Sequence, residues 1–207
     1  DYARERRRKE KSFNIAVFAS GRGTNLQGII DAVEKKRLKV NLSLVFSDKA
    51  DAQALDRARK HGLETLHLDA KKFSSREEFE KELIKYLEKK SVDLIVLAGY
   101  MRIVGPDLLA AYRNKIINIH PSLLPKFRGC AGIECHRLAV SGGEKETGCT
   151  VHLVTEDLDG GPILAQAKVP ILKGDTPETV ADRVLKEEHL LLPAVIKDIS
   201  EGKGKGC

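Results

Sequence analysis

The chain is 207 residues long, 42% hydrophobic and 32% charged, which suits one large domain with an ordinary core and excludes an intrinsically disordered chain. Aromatic residues make up 5% and tryptophan is lacking, which argues against a single-strand nucleic-acid binder built on stacking platforms. The net charge of +6 sits mostly at the ends, with six basic against three acidic residues in DYARERRRKEK (1–11) and two lysines in GKGKGC (202–207), so the body lacks the basic surplus that grips a phosphate backbone.

In chain order, FNIAVFA (13–19) reads as a buried strand. A helix follows over about 25–36, with Leu26, Ile29, Ile30 and Val33 on one face. VNLSLVF (40–46) is a second strand, 51–61 a helix closed by Gly62, and LETLHL (63–68) a short third strand. Residues 74–90 form a helix begun by Ser74 or Ser75, with Glu77 and Glu78 in its first turn. VDLIVLA (92–98) is apolar nearly throughout, as a strand covered on both faces would be. A short helix spans 106–112 with proline near its start, and KIINIH (115–120) is the fifth strand. This alternation predicts an α/β fold: a mostly parallel twisted sheet with helices on both faces. Beyond 120 the rhythm changes. GCTVHLV (148–154) and PILAQAKVPI (162–171) flank TEDLDGG, a hairpin or looped return that adds a C-terminal antiparallel element. A last helix runs over about 176–200, opened by DTPE with Pro177 at its first position. The reading is of one domain, 12–201, between basic tails 1–11 and 202–207.

Open parallel sheets bind ligands outside the carboxyl ends of their strands, and four segments fall there. In SGRGTNLQ (20–27), Gly21 and Gly23 let backbone approach an anion, Thr24 and Asn25 are expected to cap the following helix, and the helix dipole completes a site for one phosphate. The segment is neither of the common nucleotide fingerprints, and a tight turn without a ligand is the plainer alternative. In AGYMRIV (98–104), Met101, Ile103 and Val104 are apolar where a loop is usually polar. They either line a slot for a flat ring system or cover the core beneath the next helix. In NIHPSLLP (118–125), Asn118 and His120 lie at i and i+2 on one face of a strand tip. Pro121, which has no N–H for a ladder, turns the chain out of the sheet there. An amide and an imidazole so placed can donate to a developing oxyanion. In EDLDGGP (156–162), Asp157 and Asp159 sit in a turn, and Asp159 is expected to hold His120 protonated or to relay a proton through water. His152 alternates with Val151 and Leu153 on a strand, His136 and His189 fall in helical patterns, and His61 and His67 read as superficial; these five are taken as structural.

Cys130, Cys135, Cys149 and Cys207 show neither a C-x-x-C pair nor zinc-ligand spacing, so free thiols in a reducing compartment and no metal are expected. No apolar run approaches the roughly 18 residues of a membrane span, no signal peptide pattern stands in front, and the basic start lacks a transit peptide's serines. A cytoplasmic protein is expected.

The segments SGRGTNLQ, LAGYMRI, NIHPSLLPKF, GCTVHLVTEDLDGGPILAQ and EEH (187–189), in this order and spacing, resemble the glycinamide ribonucleotide formyltransferase family over nearly the whole body, about 14–200. NIHPSLLP with DLDGGP is shared by the wider formyltransferase superfamily, and G-x-G-T-N narrows the likeness to the ribonucleotide-binding branch. The resemblance implies a formyltransferase fold and transfer of a formyl group from 10-formyltetrahydrofolate, as co-substrate, to the amine of glycinamide ribonucleotide in purine synthesis. It assigns catalysis to Asn118, His120 and Asp159. It assigns the nucleotide phosphate to Gly21, Gly23, Thr24 and Asn25 and the ribose to Glu188. It assigns the folate to Met101, Arg102, Ile103, Val104 and backbone near Val154, Thr155, Glu156 and Asp157, with Arg76 near the glutamate tail. Two departures stand out. CAGIEC (130–135) is longer than in some bacterial members, so no contacts are carried over there, and a position where the family would place a polar phosphate partner reads Leu185. The implied partners are small molecules, with no nucleic acid or membrane, acting on a monomer or homodimer. Two rival readings are a formyltetrahydrofolate hydrolase, which usually carries an extra N-terminal regulatory domain, and a non-catalytic nucleotide or RNA-binding module that uses SGRGTN alone. A methionyl-tRNA formyltransferase usually adds a C-terminal nucleic-acid-binding domain and lacks the glycine-rich phosphate loop.

Overall fold

A computed structural model describes residues 11–203. Nearly all of both basic tails, with Cys207, lies outside the described residues. Seven strands form one sheet: β1 (Asn14–Phe18), β2 (Asn41–Ser47), β3 (Thr65–His67), β4 (Leu94–Leu97), β5 (Ile116–His120), β6 (Glu146–Leu153) and β7 (Ile163–Pro170), in the order β3-β2-β1-β4-β5-β6-β7. The pairs among β1 to β5 are parallel; β6 runs antiparallel to β5, and β7 antiparallel to β6. The helices are α1 (Thr24–Glu34), α2 (Gln53–Lys60), α3 (Arg76–Lys89), α4 (Pro106–Ala111), α5 (Ile133–Ser141) and α6 (Pro177–Ser200). The parallel sheet, the antiparallel C-terminal element and the long last helix agree with the sequence reading. Helix α5 does not: beyond a helical pattern at His136, that reading marks no element between 120 and 148.

The strands alternate between two cores, as the two-residue period of a pleated sheet requires. Ile15, Val17, Leu94, Val96, Ile117 and Ile119 face one side and pack with α1, α2 and α6. Ala16, Phe18, Leu44, Phe46, Ile95 and Leu97 face the other and pack with α3 and α4. Both faces are therefore covered, which is why β4 is apolar throughout and β1 is apolar after Asn14. Helix α6 is fixed by Val180, Val184, Leu192 and Ile196, all fully buried, and by a capping box in which Thr176 and Thr179 satisfy each other's backbone N–H groups.

The strand order reverses between β1 and β4, which leaves a crevice at their carboxyl ends. The loops after β1, β4 and β5 all open into it. No helix among the described residues is long and apolar enough to cross a membrane.

Candidate active site

A cavity of about 650 Å³ lies at these strand ends. Its wall draws on the loop after β1 (Arg22, Thr24, Asn25), the loop after β4 (residues 99–104), the tip of β5 (Asn118, His120), the loop 129–133 and the turn after β6 (Val154 to Asp159).

At the first of these, Gly23 is the N-cap of α1, with φ 73°. That backbone conformation disfavours any side chain, and a Cβ there would lie 2.7 Å from the Ala54 Cα. The expected capping by Thr24 and Asn25 is not met: both lie inside the helix, and no side chain accepts from its first turn. The turn's N–H groups thus carry the positive end of the helix dipole without a side-chain cap. The Asn25 Oδ1 is buried without a partner. Beside Asn25 stands Glu188 of α6, 7% exposed. Burial pushes its carboxyl up to about 7, against the pull of the His120 charge and an Asn25 hydrogen bond.

The loop after β4 is pinned from beneath. Tyr100 packs its ring against Phe18 and Phe46, with centroids 5.4 and 5.9 Å away. Ser20 Oγ accepts from the Met101 N–H at 2.9 Å and donates to Asp48 at 2.7 Å. The loop's far end is held by Glu80, a buried carboxylate of α3, which accepts from the N–H groups of Gly105 at 2.5 Å and Leu108 at 2.9 Å and so caps α4. Anchored at both ends, the loop leaves Met101 and Ile103 58% and 61% exposed on the cavity wall. Of the two readings of this stretch, slot or core cover, the slot describes these two residues, while Val104 also packs partly onto the core. Arg102 lies over the Phe79 ring, 5.3 Å from its centroid.

The centre of the cavity holds the three residues expected to carry chemistry. His120 is 4% exposed. Its Nδ1 lies 3.0 Å from Ser122 Oγ, whose own hydrogen is donated to the Lys126 carbonyl at 2.6 Å. The serine therefore offers a lone pair, and Nδ1 must donate. Nε2 faces the Cys130 carbonyl at 3.1 Å and Asp159 Oδ2 at 3.3 Å, both acceptors. The surroundings thus demand a proton on each nitrogen: the ring is wired as an imidazolium. Asp159 sits in the left-handed region, φ 53°, in a tight turn. Its burial alone would raise the carboxyl's pKa, but the hydrogen bonds from His120 and from the Gly129 N–H, the latter 2.9 Å long, outweigh it and hold the carboxyl below its usual range.

His152, read from sequence as structural, belongs here. It is the registered partner of Asn118 across β5 and β6. Its Nδ1 donates to the Leu153 carbonyl at 3.0 Å, so Nε2 is the acceptor that takes the Asn118 amide N–H at 3.1 Å. Burial, ahead of the opposing Leu153 hydrogen bond and Asp159 charge, lowers its pKa and keeps it neutral. The sequence signal was available: an inward-facing histidine on the strand that must pair with NIH. His136 of α5 also lines the cavity, with Nδ1 buried and unpartnered.

Other expected residues fall into two groups. Val154, Thr155, Glu156 and Asp157 lie on the wall, as does Leu185. Asp157 pairs with Arg128 and Glu156 with Arg113. Arg76 does not reach the wall; it opens α3 with its side chain beside Gly105. The expectation of free thiols is corrected for Cys130 and Cys135, which form a disulfide with Cα atoms 5.5 Å apart. Positive-φ turns at Gly129 and Gly132 fold the loop back onto the first turn of α5, where Cys135 is buried. The separation of five residues matches no familiar cysteine motif. Cys149 is free and buried, its thiol pushed up to about 12.

A glycine-lined helix terminus, an apolar slot and an imidazole beside a carboxylate suit acyl-type transfer to an anchored substrate. A family described as formyl transferase matches residues 13–196, and the chain belongs to that family. Within it the chain stands among enzymes of purine biosynthesis. It is 45% identical over 192 residues to the phosphoribosylglycinamide formyltransferase of Escherichia coli strain K12, covering 93% of this chain and 89% of that one. It is 44% identical to the Haemophilus influenzae enzyme of the same name, covering 91% and 88%. The crystal structure of glycinamide ribonucleotide transformylase 1 from Symbiobacterium toebii superposes with a TM-score of 0.88 at 46% identity, over 92% of this chain and 89% of that one.

Proposed function

We propose that this cavity transfers a formyl group from 10-formyltetrahydrofolate to the amine of glycinamide ribonucleotide. The observation that carries the reading is the wiring of His120: three acceptors hold it as a two-donor cation, with Asp159 3.3 Å away. The nucleotide phosphate lies at the N-terminus of α1, over Gly21, Gly23, Thr24 and Asn25, and its ribose hydroxyls meet Glu188 and the open Asn25 oxygen. The flat ring of the folate fills the slot of Met101, Ile103 and Val104 and takes backbone hydrogen bonds along 154–157. Holding both reactants in one cavity supplies up to about 7–11 kcal/mol of the barrier.

Attack of the amine on the formyl carbon creates a tetrahedral oxyanion. The Nε2–H of His120, turning from the Cys130 carbonyl, and the remaining N–H of Asn118 donate to it, each such donor contributing about 3–4 kcal/mol. Asp159 sustains the imidazolium, and through water it takes the proton that leaves the attacking nitrogen. The same proton, passed on through water, reaches the folate nitrogen, which departs as a neutral amine while the carbonyl re-forms. Neutral His152 fixes the Asn118 amide so that its second N–H points where charge develops.

The test is absorbance-monitored formyl release from a formyl-folate, with and without glycinamide ribonucleotide. Release that depends on the nucleotide is expected; equal release without it would assign the site to a hydrolase. His120→Ala should bind nucleotide nearly normally yet lose turnover, and weakened binding with the rate retained would remove His120 from the reaction.

A further inference from the structure

The disulfide stands against the proposed reaction centre. The Cys130 carbonyl accepts from His120, and among the described residues His120, Cys130 and Cys135 offer ligand atoms that all lie within 4.8 Å of one another. His120 and Cys135 are almost fully buried, and Cys130 is partly exposed on the cavity wall, where a small thiol can reach it. Bridged sulfurs are poor ligands. The same two sulfurs as thiolates, beside an imidazole, are the donor set that thiophilic cations such as Zn²⁺ select.

We propose that the reduced Cys130–Cys135 pair and His120 form a binding site for a thiophilic divalent cation, and that the bound cation stops formyl transfer by occupying the imidazole. Opening the bridge takes one external dithiol. Its thiolate attacks one sulfur of the bridge and the other cysteine leaves as thiolate; the second external thiolate then attacks the external sulfur of the mixed disulfide, forming the dithiol's own disulfide and releasing the first cysteine as thiolate. The dithiol loses two electrons and the protein pair gains them. The cation then displaces the protons of both thiols and of one ring nitrogen.

The surroundings suit this set. A tetrahedral zinc site needs its sulfurs about 3.8 Å apart, so the two sulfurs must part from bonding distance once the bridge is opened. Ser122 holds Nδ1, the outer-shell hydrogen bond that orients a ligating histidine. This leaves Nε2, on the Cys130 side, for the cation. Cys149 stands outside this set, and its buried thiol is too reluctant to ionise to compete.

The inhibitory half of the proposal rests on the catalytic reading of His120, so binding and activity are measured separately. The full chain is reduced with a phosphine, desalted without oxygen and titrated with Zn²⁺ against a chromogenic chelator, and with Co²⁺ for its thiolate charge-transfer absorption. One equivalent should bind the reduced protein at least about 100-fold more tightly than the disulfide form. Cys130→Ser and Cys135→Ser should each lose that binding and the cobalt band, and Cys135→Ser, whose side chain lies off the cavity wall, should keep zinc-free transfer. Transfer by the reduced wild type should fall in step with zinc occupancy and return with chelator. Equal zinc affinity in the reduced, oxidised and serine forms would overturn the site. A stoichiometric cobalt–thiolate complex with undiminished transfer would overturn the assignment of His120 to the cation while leaving the sulfur pair as ligands, and nucleotide-dependent transfer by the zinc-free enzyme would still report on the catalytic reading alone.

Discussion

At the scale of single residues, the centre depends on which atoms donate. Asn118→Ala removes one of the proposed oxyanion donors and should lower kcat by roughly 10²- to 10³-fold, with little change in either KM. His152→Leu removes only the acceptor that aims the amide. Misplacing a donor by about an ångström is enough to cost up to 10²-fold, so a fall of roughly 10- to 100-fold is expected, and steady-state kinetics separate the two variants. Glu188 makes a different prediction. Its folded pKa, about 7, is raised from the ordinary 4.5, so between those values the native state holds a proton that the unfolded chain has lost. Stability from this group is full below about pH 4.5, declines as pH rises and is exhausted above about pH 7. Glu188→Gln should therefore stabilise the fold more at pH 8 than at pH 5, by at most roughly 3 kcal/mol, read as a larger rise in melting temperature at pH 8, while raising KM for the nucleotide. An equal effect at both pH values would mean that the carboxyl is ionised throughout. None of these pairings is visible in single letters: His152 looks like one more alternating position on a strand, and its part emerges only when register sets it opposite Asn118.

At the scale of elements, each part of the cavity is a strand end whose continuation has been made stiff. The turn before α1 relies on Gly23, where a side chain meets both a disfavoured φ and the Ala54 backbone. Gly23→Ala should destabilise the fold by about 1–3 kcal/mol and raise KM for the nucleotide more than for the folate; denaturant melts and kinetics on one preparation check both. Asn25→Ala, which deletes the open amide oxygen, should show the kinetic effect without the loss of stability. Elements of this kind were legible in the sequence because turn glycines, prolines and apolar runs act locally. The loop 129–135 was not. Its Gly129 N–H and Cys130 carbonyl reach Asp159 and His120, but backbone contacts leave no side-chain signature. The disulfide depends on how the loop folds onto α5, which no local pattern records.

At the scale of the whole molecule, the order of strands does the assembling. The alternation of strand and helix was readable up to β5 because both cores demand uninterrupted apolar strands. The family motifs then named the residues that should meet, though not the hydrogen-bond directions that make His120 a cation. The strand that delivers His152 and the turn bearing Asp159 runs against its neighbour, and its pairing with β5 is continuous from Ile117–Leu153 to His120–Thr150. In such a ladder a shift of one place reverses every face. One extra residue inserted within β6 ahead of His152 would bring Val151 opposite Asn118 and drive the imidazole into the opposite core. Such an insertion would silence the enzyme while every acid, base and amide of the site remained in its gene, a lesion that a search for altered active-site letters would pass over.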